Sequence, residues 1–300
     1  MNEKNEKYEV SPKVRTWEKR LLIAEVLGSG LLIIALSLLG PLFFNVLTFR
    51  TSESMKFQVI GQDLISLLLI APLLLMSGYG LIKNKDYPKY MLVGSGGYQI
   101  YTYFSYIIAI EYALYPGNNE LFFFPFVFLI ISGWINLALG FKRLAKDVTP
   151  TISSRKQKII AVFFIILGFL FLLQWLQEII SVQTIGYVEG RPEMYAEAPT
   201  GFWTIKTMDV GFTIPFMITA GYLLFTRPRS HFNVILTIVS FGACLVSAVF
   251  TMSVVQLSMK DPNATIDGFI MFLVITIIVW ITYYWLIKAK ITEKAPPNKN

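Results

Sequence analysis

The residues of this 300-residue chain whose types and spacing could do chemistry are acids set in or beside long apolar runs. Asp63, Glu111, Glu178 and Asp209 all fall there, as do Glu25 and Lys206. Ionisable groups at membrane depth are costly to keep, which makes them functional candidates by default. Gln174, Gln177 and Ser181 extend the patch around Glu178, while Tyr98, Tyr101, Ser105, Tyr112 and Tyr115 recur at intervals of three, four and seven. That spacing gathers the tyrosines on one helix face. Asp63, Glu111, Gln174, Glu178, Asp209, Tyr98 and Tyr101 therefore make up a candidate ligand or proton site. Carboxylates in a low-dielectric crevice can hold a cation or exchange a proton near neutral pH.

Plainer uses stand beside these. Asp63 and Asp209 would begin helices, where an acid caps free backbone N–H groups and faces the positive end of the dipole. Lys206 would pair with Asp209 three residues on. Tyr112 and Tyr115 fit an interfacial aromatic belt, whereas Tyr98 and Tyr101 lie too deep for one.

Other chemistry is excluded by counting. With one cysteine, Cys244, and one histidine, His231, the chain cannot build a dithiol centre, a bis-imidazole haem or a zinc protease helix. Neither Gly28-Ser29-Gly30 nor Gly94-Ser95-Gly96-Gly97 has the spacing of a phosphate loop or a serine elbow; both read as helix-packing positions. The residues call for no catalytic constellation, no metal and no cofactor. A small-residue stripe, Ser240, Ala243, Ser247 and Thr251, marks the seventh span as a surface for a membrane-protein partner.

The elements that must position these groups are membrane helices. A span needs ~20 apolar residues, and eight runs qualify, at about 21–48, 64–82, 90–114, 121–141, 159–182, 207–226, 232–257 and 268–287. Of the 26 Lys and Arg residues, 21 lie in the two tails and every second loop, and only five in the loops between. Basic loops stay in the cytoplasm, so both termini are expected there. The chain reads as an all-α polytopic bundle, with a basic tail over 1–20, one membrane domain over 21–288 and a second tail over 289–300. A location in the cell membrane follows, the cytoplasmic membrane if the source is prokaryotic. Its net charge of +7 meets anionic headgroups at the cytoplasmic rims and implies no nucleic-acid partner. The first span is too long for a secretory signal and is expected to remain in the mature protein.

An internal repeat is also legible. Pro72 precedes Gly78-Tyr79 by the same distance as Pro215 precedes Gly221-Tyr222, with Asp63 and Asp209 upstream of each proline. A four-plus-four parallel duplication, with halves at 21–146 and 155–288, would place bends at Pro72 and Pro215 in corresponding helices. The loop from 183 to 206, rich in Gly, Pro and aromatics, is a candidate lid.

Gly61-Gln62-Asp63-Leu64 leading to Pro72-Leu73-Leu74, the tyrosine-rich third span, Leu121-Phe122-Phe123, and Asp209-Val210-Gly211-Phe212 leading to Pro215 carry a resemblance. From about residue 55 to 260 the chain resembles a group of uncharacterised bacterial and archaeal multi-pass membrane proteins with no established activity. The resemblance supports Asp63 and Asp209 as positions to test. Three functions are left open: a small-solute or ion-coupled permease, favoured by repeat, bends and polar crevice; a non-catalytic subunit, sensor or assembly factor; and an intramembrane enzyme acting on lipid or envelope substrates.

Overall fold

The computed structural model describes residues 16–144 and 153–288. The basic residues at 4, 7, 13 and 15, the tail from 289 and the middle of the loop before span five lie outside the described residues. Within them the chain is all-helical, with no strand. Its long helices are α1 (Thr16–Leu39), α2 (Glu53–Ile82), α3 (Pro88–Ile108), α4 (Asn119–Arg143) and α5 (Ser154–Ile185). After a short α6 (Pro192–Ala196) come α7 (Pro199–Thr226), α8 (Phe232–Ser258) and α9 (Ile266–Ile287). Seven are long and apolar enough to cross a membrane, which marks an integral membrane protein.

The eighth expected span, α3, is a 21-residue helix but too polar to join those seven. Its glycines, serines, Gln99 and tyrosines would be poorly placed against lipid, and the fold encloses them instead. Gly96 presses on the Gly133 backbone of α4, and Gly97 on Phe241 of α8. Tyr98, Gln99 and Thr102 are fully buried. Along its length α3 runs antiparallel to α2 and α4: Tyr106 meets Asp63 and Pro88 meets Gly80 of α2, while Leu92 meets Gly140 of α4.

Lipid tails are as apolar as the side chains they replace, so close approach and hydrogen bonds hold such a bundle together. Gly30 meets Leu75 and Gly78 meets Leu27 where α1 crosses α2; Gly168 meets Ile218 and Gly221 meets Ile165 where α5 crosses α7. Gly28 faces open space, so of the two glycines in that motif only Gly30 packs, beside the buried Ser29. The Ser240 to Thr251 stripe of α8 is used inside the chain. Ser240 receives Gly94 and donates to the Tyr90 carbonyl at 3.2 Å, and Thr251 donates to the Gly61 carbonyl at 2.9 Å.

Several boundaries differ from the sequence reading. Helix α2 starts at Glu53, capped by Ser52, whose hydroxyl accepts the Met55 N–H at 3.4 Å. Hydropathy starts this span at residue 64, because the residues before it are polar; in the fold Val59, Gly61, Gln62 and Asp63 are buried in protein. Helix α3 stops at Ile108, so Tyr112 and Tyr115 are off the tyrosine face. Segment 109–120 pairs instead with 46–52: Glu111 N–H donates to the Arg50 carbonyl at 2.8 Å, and Arg50 binds Glu120 at 2.6 Å. Two thirds of the 183–206 loop is helical, and α7 begins at Pro199.

Before each of the two prolines the helix widens into a single π turn, Ser66–Ile70 in α2 and Asp209–Thr213 in α7, closed by Ala71 N–H to Ser66 O and Ile214 N–H to Asp209 O. Proline lacks a donor and its ring collides with the carbonyl four residues back; one extra residue in the turn relieves both.

Candidate functional site

These helices bring together four of the seven predicted site residues. Tyr101 of α3, Gln174 and Glu178 of α5, and Asp209 of α7 line one cavity of about 450 Å³ between the two halves of the chain. Asp209 lies in the π turn of α7, half-buried, where the widened backbone aims its side chain at α3 and α5. Its Oδ1 accepts the Tyr101 hydroxyl at 2.8 Å and its Oδ2 accepts the Trp175 indole N–H at 3.1 Å. It is not a helix cap, for α7 begins ten residues earlier.

Beside it lies a buried ion pair. Lys206, only 3% exposed, binds Glu178 across the helix interface. Its ammonium also sits 3.1 Å above the centroid of the Trp175 ring. The expected partner, Asp209, is thus replaced by a residue on another helix. Trp175 joins the two features, using its face for the lysine and its edge for the aspartate. An ammonium over an indole face is stabilised by the ring quadrupole, most strongly when water is excluded.

The other three predicted residues serve elsewhere. Asp63 lies mid-helix in α2, 4% exposed, and is no cap either. Its Oδ1 accepts the Tyr106 hydroxyl at 2.9 Å, while its buried Oδ2 has no partner. Tyr98, fully buried, bonds Ser66 at 2.9 Å and the Gln62 carbonyl at 3.3 Å. Neither lines the cavity, although Tyr106 does and so stands between Asp63 and that space. Glu111 accepts the Gly201 N–H at 2.9 Å, in the first turn of α7. The acid that caps a helix is therefore Glu111, completing a free N–H at the positive end of α7.

Sequence reasoning missed Trp175, Tyr106 and Gln62 in the wall, whereas Arg191, Glu197 and Phe202, which also line it, belong to the 183–206 loop expected as a candidate lid. Trp175 reads as one more apolar residue of a span, and only its position beside Gln174 hints otherwise. The second miss is a buried network away from the cavity. Asn136 donates to Gln99 at 3.0 Å, Gln99 to Ser132 at 3.1 Å, and Ser132 to Glu25. Glu25 Oε2 and Asn136 Oδ1 are left without partners.

Most of the cavity wall is apolar. Lining residues on α8 run from Ile238 to Gln256, a distance of ~27 Å at 1.5 Å per residue. Phe164, Leu167 and Phe171 of α5 face Phe272, Ile275 and Val279 of α9 across it. Stacking of Phe171 on Phe272, with centroids 6.3 Å apart, links these two helices. The arrangement can hold a small molecule with one polar end against Asp209 and a body along the apolar wall. Among the described residues no three His, Cys, Asp or Glu side chains gather as a metal site. No family model, curated protein or solved structure matches the chain.

Proposed function

We propose that the chain is an eight-pass, ion-coupled permease-like protein of the cell membrane, both termini cytoplasmic, that binds a small solute in the cavity between its two halves. The observation that carries this reading is the cavity itself, with a carboxylate held only by neutral donors at one end and an apolar wall as long as a bilayer is thick. Eight passes are supported by α3, which lies antiparallel to α2 and α4 over its full length.

Duplication is supported by contacts as well as spacing. Leu27 and Gly30 of α1 correspond to Ile165 and Gly168 of α5 by a shift of 138 residues, and Leu75 and Gly78 of α2 to Ile218 and Gly221 of α7 by a shift of 143. The second shift also superposes the two π turns, Ser66 on Asp209, and both prolines. In that register Asp63 corresponds to Lys206, so the two aspartates are not equivalent positions. The solute carboxylate belongs to one half only. Asp63 and Glu25, each with an unpartnered buried oxygen in the other half, are the groups for a coupling proton or cation.

Sidedness of access tests the reading without knowledge of the solute. On a Cys244→Ala background, Gln174→Cys should react with a membrane-impermeant maleimide from the outside. Phe164→Cys, toward the opposite end of α5, should react from the cytoplasmic side in right-side-out and inverted vesicles respectively. Access to both positions from one side only would remove the permease reading.

A further inference from the structure

We infer that the cavity takes an organic monocation with an apolar body, a conclusion that rests on the permease-like reading of the same cavity and narrows its substrate class. Charge is the first argument. Five ionisable side chains line the space, and four of them cancel. Glu178 and Lys206 bind each other, and Arg191 and Glu197 sit with opposite signs on the 183–206 loop. Asp209 is the charge left over. Its two donors, a phenol and an indole, are neutral, and each oxygen has accepted one hydrogen bond, which leaves lone pairs free for a ligand N–H or a nearby positive centre.

Aromatic surface is the second argument. Around Asp209 stand Trp175 and Tyr101, with Phe241 at 6.2 Å from Tyr101 between ring centroids and Phe216 at 6.4 Å from Phe241. Rings beside a carboxylate form the environment that recognises organic ammonium groups, because the ring faces and the acid attract the same charge. The wall already holds one ammonium in this way, that of Lys206 over Trp175. The third argument is the body of the cavity, where Leu167, Val246, Val249, Phe272 and Ile275 offer no hydrogen bond. A strongly hydrated inorganic ion would lose its water there without replacement, whereas an apolar organic cation gains contact. An anion of the same shape meets Asp209 with Lys206 already bound to Glu178, and like charge at close range disfavours it.

Tetraphenylphosphonium and tetraphenylborate, equal in shape and opposite in sign, test this directly. Equilibrium binding of radiolabelled tetraphenylphosphonium to the full chain in detergent, with empty micelles subtracted, should saturate at one site per chain. Unlabelled tetraphenylborate should not compete. Asp209→Asn should weaken binding at least tenfold while eluting as a monodisperse species. If that variant fails to fold, Gln174→Lys, which adds a positive charge on an exposed position of the wall, should weaken it by a similar factor. The inference is overturned if tetraphenylborate binds as tightly, if no saturable cation binding occurs, or if a folded Asp209→Asn or Gln174→Lys chain binds like the parent. Two-sided maleimide labelling without cation binding would sink this inference and spare the permease reading; cation binding with one-sided labelling would do the reverse.

Discussion

The N-terminal helices α1–α4 and the C-terminal helices α5 and α7–α9 use small residues at matching contacts, yet one group is filled and the other hollow. In the first, Gly96 lies against the Gly133 backbone, so α3 and α4 touch main chain to main chain. Phe49, Tyr103, Tyr106 and Phe126 fill the space beside them, ring against ring at 4.8 to 6.3 Å. In the second, Gly242 of α8 has nothing within 4 Å of where a Cβ would lie, and it borders the cavity. From α9, Thr276 and Trp280 donate to the Val246 carbonyl at 3.3 Å and to Ser247 at 2.8 Å, and Phe272 stacks on Phe171. Glycines that seat one helix on another set the frame in both groups. Whether a space remains inside it depends on the larger residues that follow, and the cavity opens where the C-terminal helices meet the first turns of α2 and the end of α3.

The largest expected effect comes from exchanging these roles. Gly96→Leu would drive a side chain into the α4 backbone and should destabilise by about 3 kcal/mol or prevent folding, as overpacking of a tight core does. Gly242→Leu enters empty space and should leave the unfolding temperature in detergent within a few degrees of the parent while abolishing cation binding. Equal losses for the two would erase the distinction between the halves. A smaller effect concerns the buried networks. Ser132→Ala strips Glu25 of its donor and should cost about 1–3 kcal/mol. Thr276→Ala, which loses a 3.3 Å bond to the Val246 carbonyl and an intrahelical one to Phe272 but strands no buried acid, should cost well under that, measured in the same thermal assay.

The smallest effect separates capping from lining acids. Glu111→Ala leaves the Gly201 N–H unpaired and should cost about 1 kcal/mol, as cap removal does, with faster hydrogen exchange confined to the start of α7. Asp209→Asn should leave that exchange untouched and act on binding alone. Unchanged exchange at the start of α7 in Glu111→Ala would return Glu111 to the list of ligand candidates.

Much of the frame was legible before any coordinates. Span lengths and apolarity located all the long helices, and the Pro to Gly-Tyr spacing anticipated that α2 and α7 share a contact pattern. What escaped was every feature decided by a distant partner. The third span reads as apolar to residue 114, but the backbone from 109 is bound to segment 46–52, about 60 residues away in sequence. Lys206 lies three residues from Asp209, and nothing local reveals that Glu178 on another helix takes its charge. The first turns of α2 are polar because they line a cavity and pack on α8, so hydropathy cut the helix short at Leu64. Four of seven site residues share the cavity because they were chosen as polar groups within spans, which is a property of the wall. Asp63, Tyr98 and Glu111 share that property without facing the cavity.

Thiol reactivity tests the filled and hollow account most directly. Val249→Cys and Thr102→Cys, each on a Cys244→Ala background in native membranes, place one thiol in the cavity wall of α8 and one at a fully buried position of α3. Val249→Cys is predicted to react with a small water-soluble maleimide within minutes and Thr102→Cys to remain unmodified until detergent unfolds the chain. Comparable rates at the two positions would contradict it.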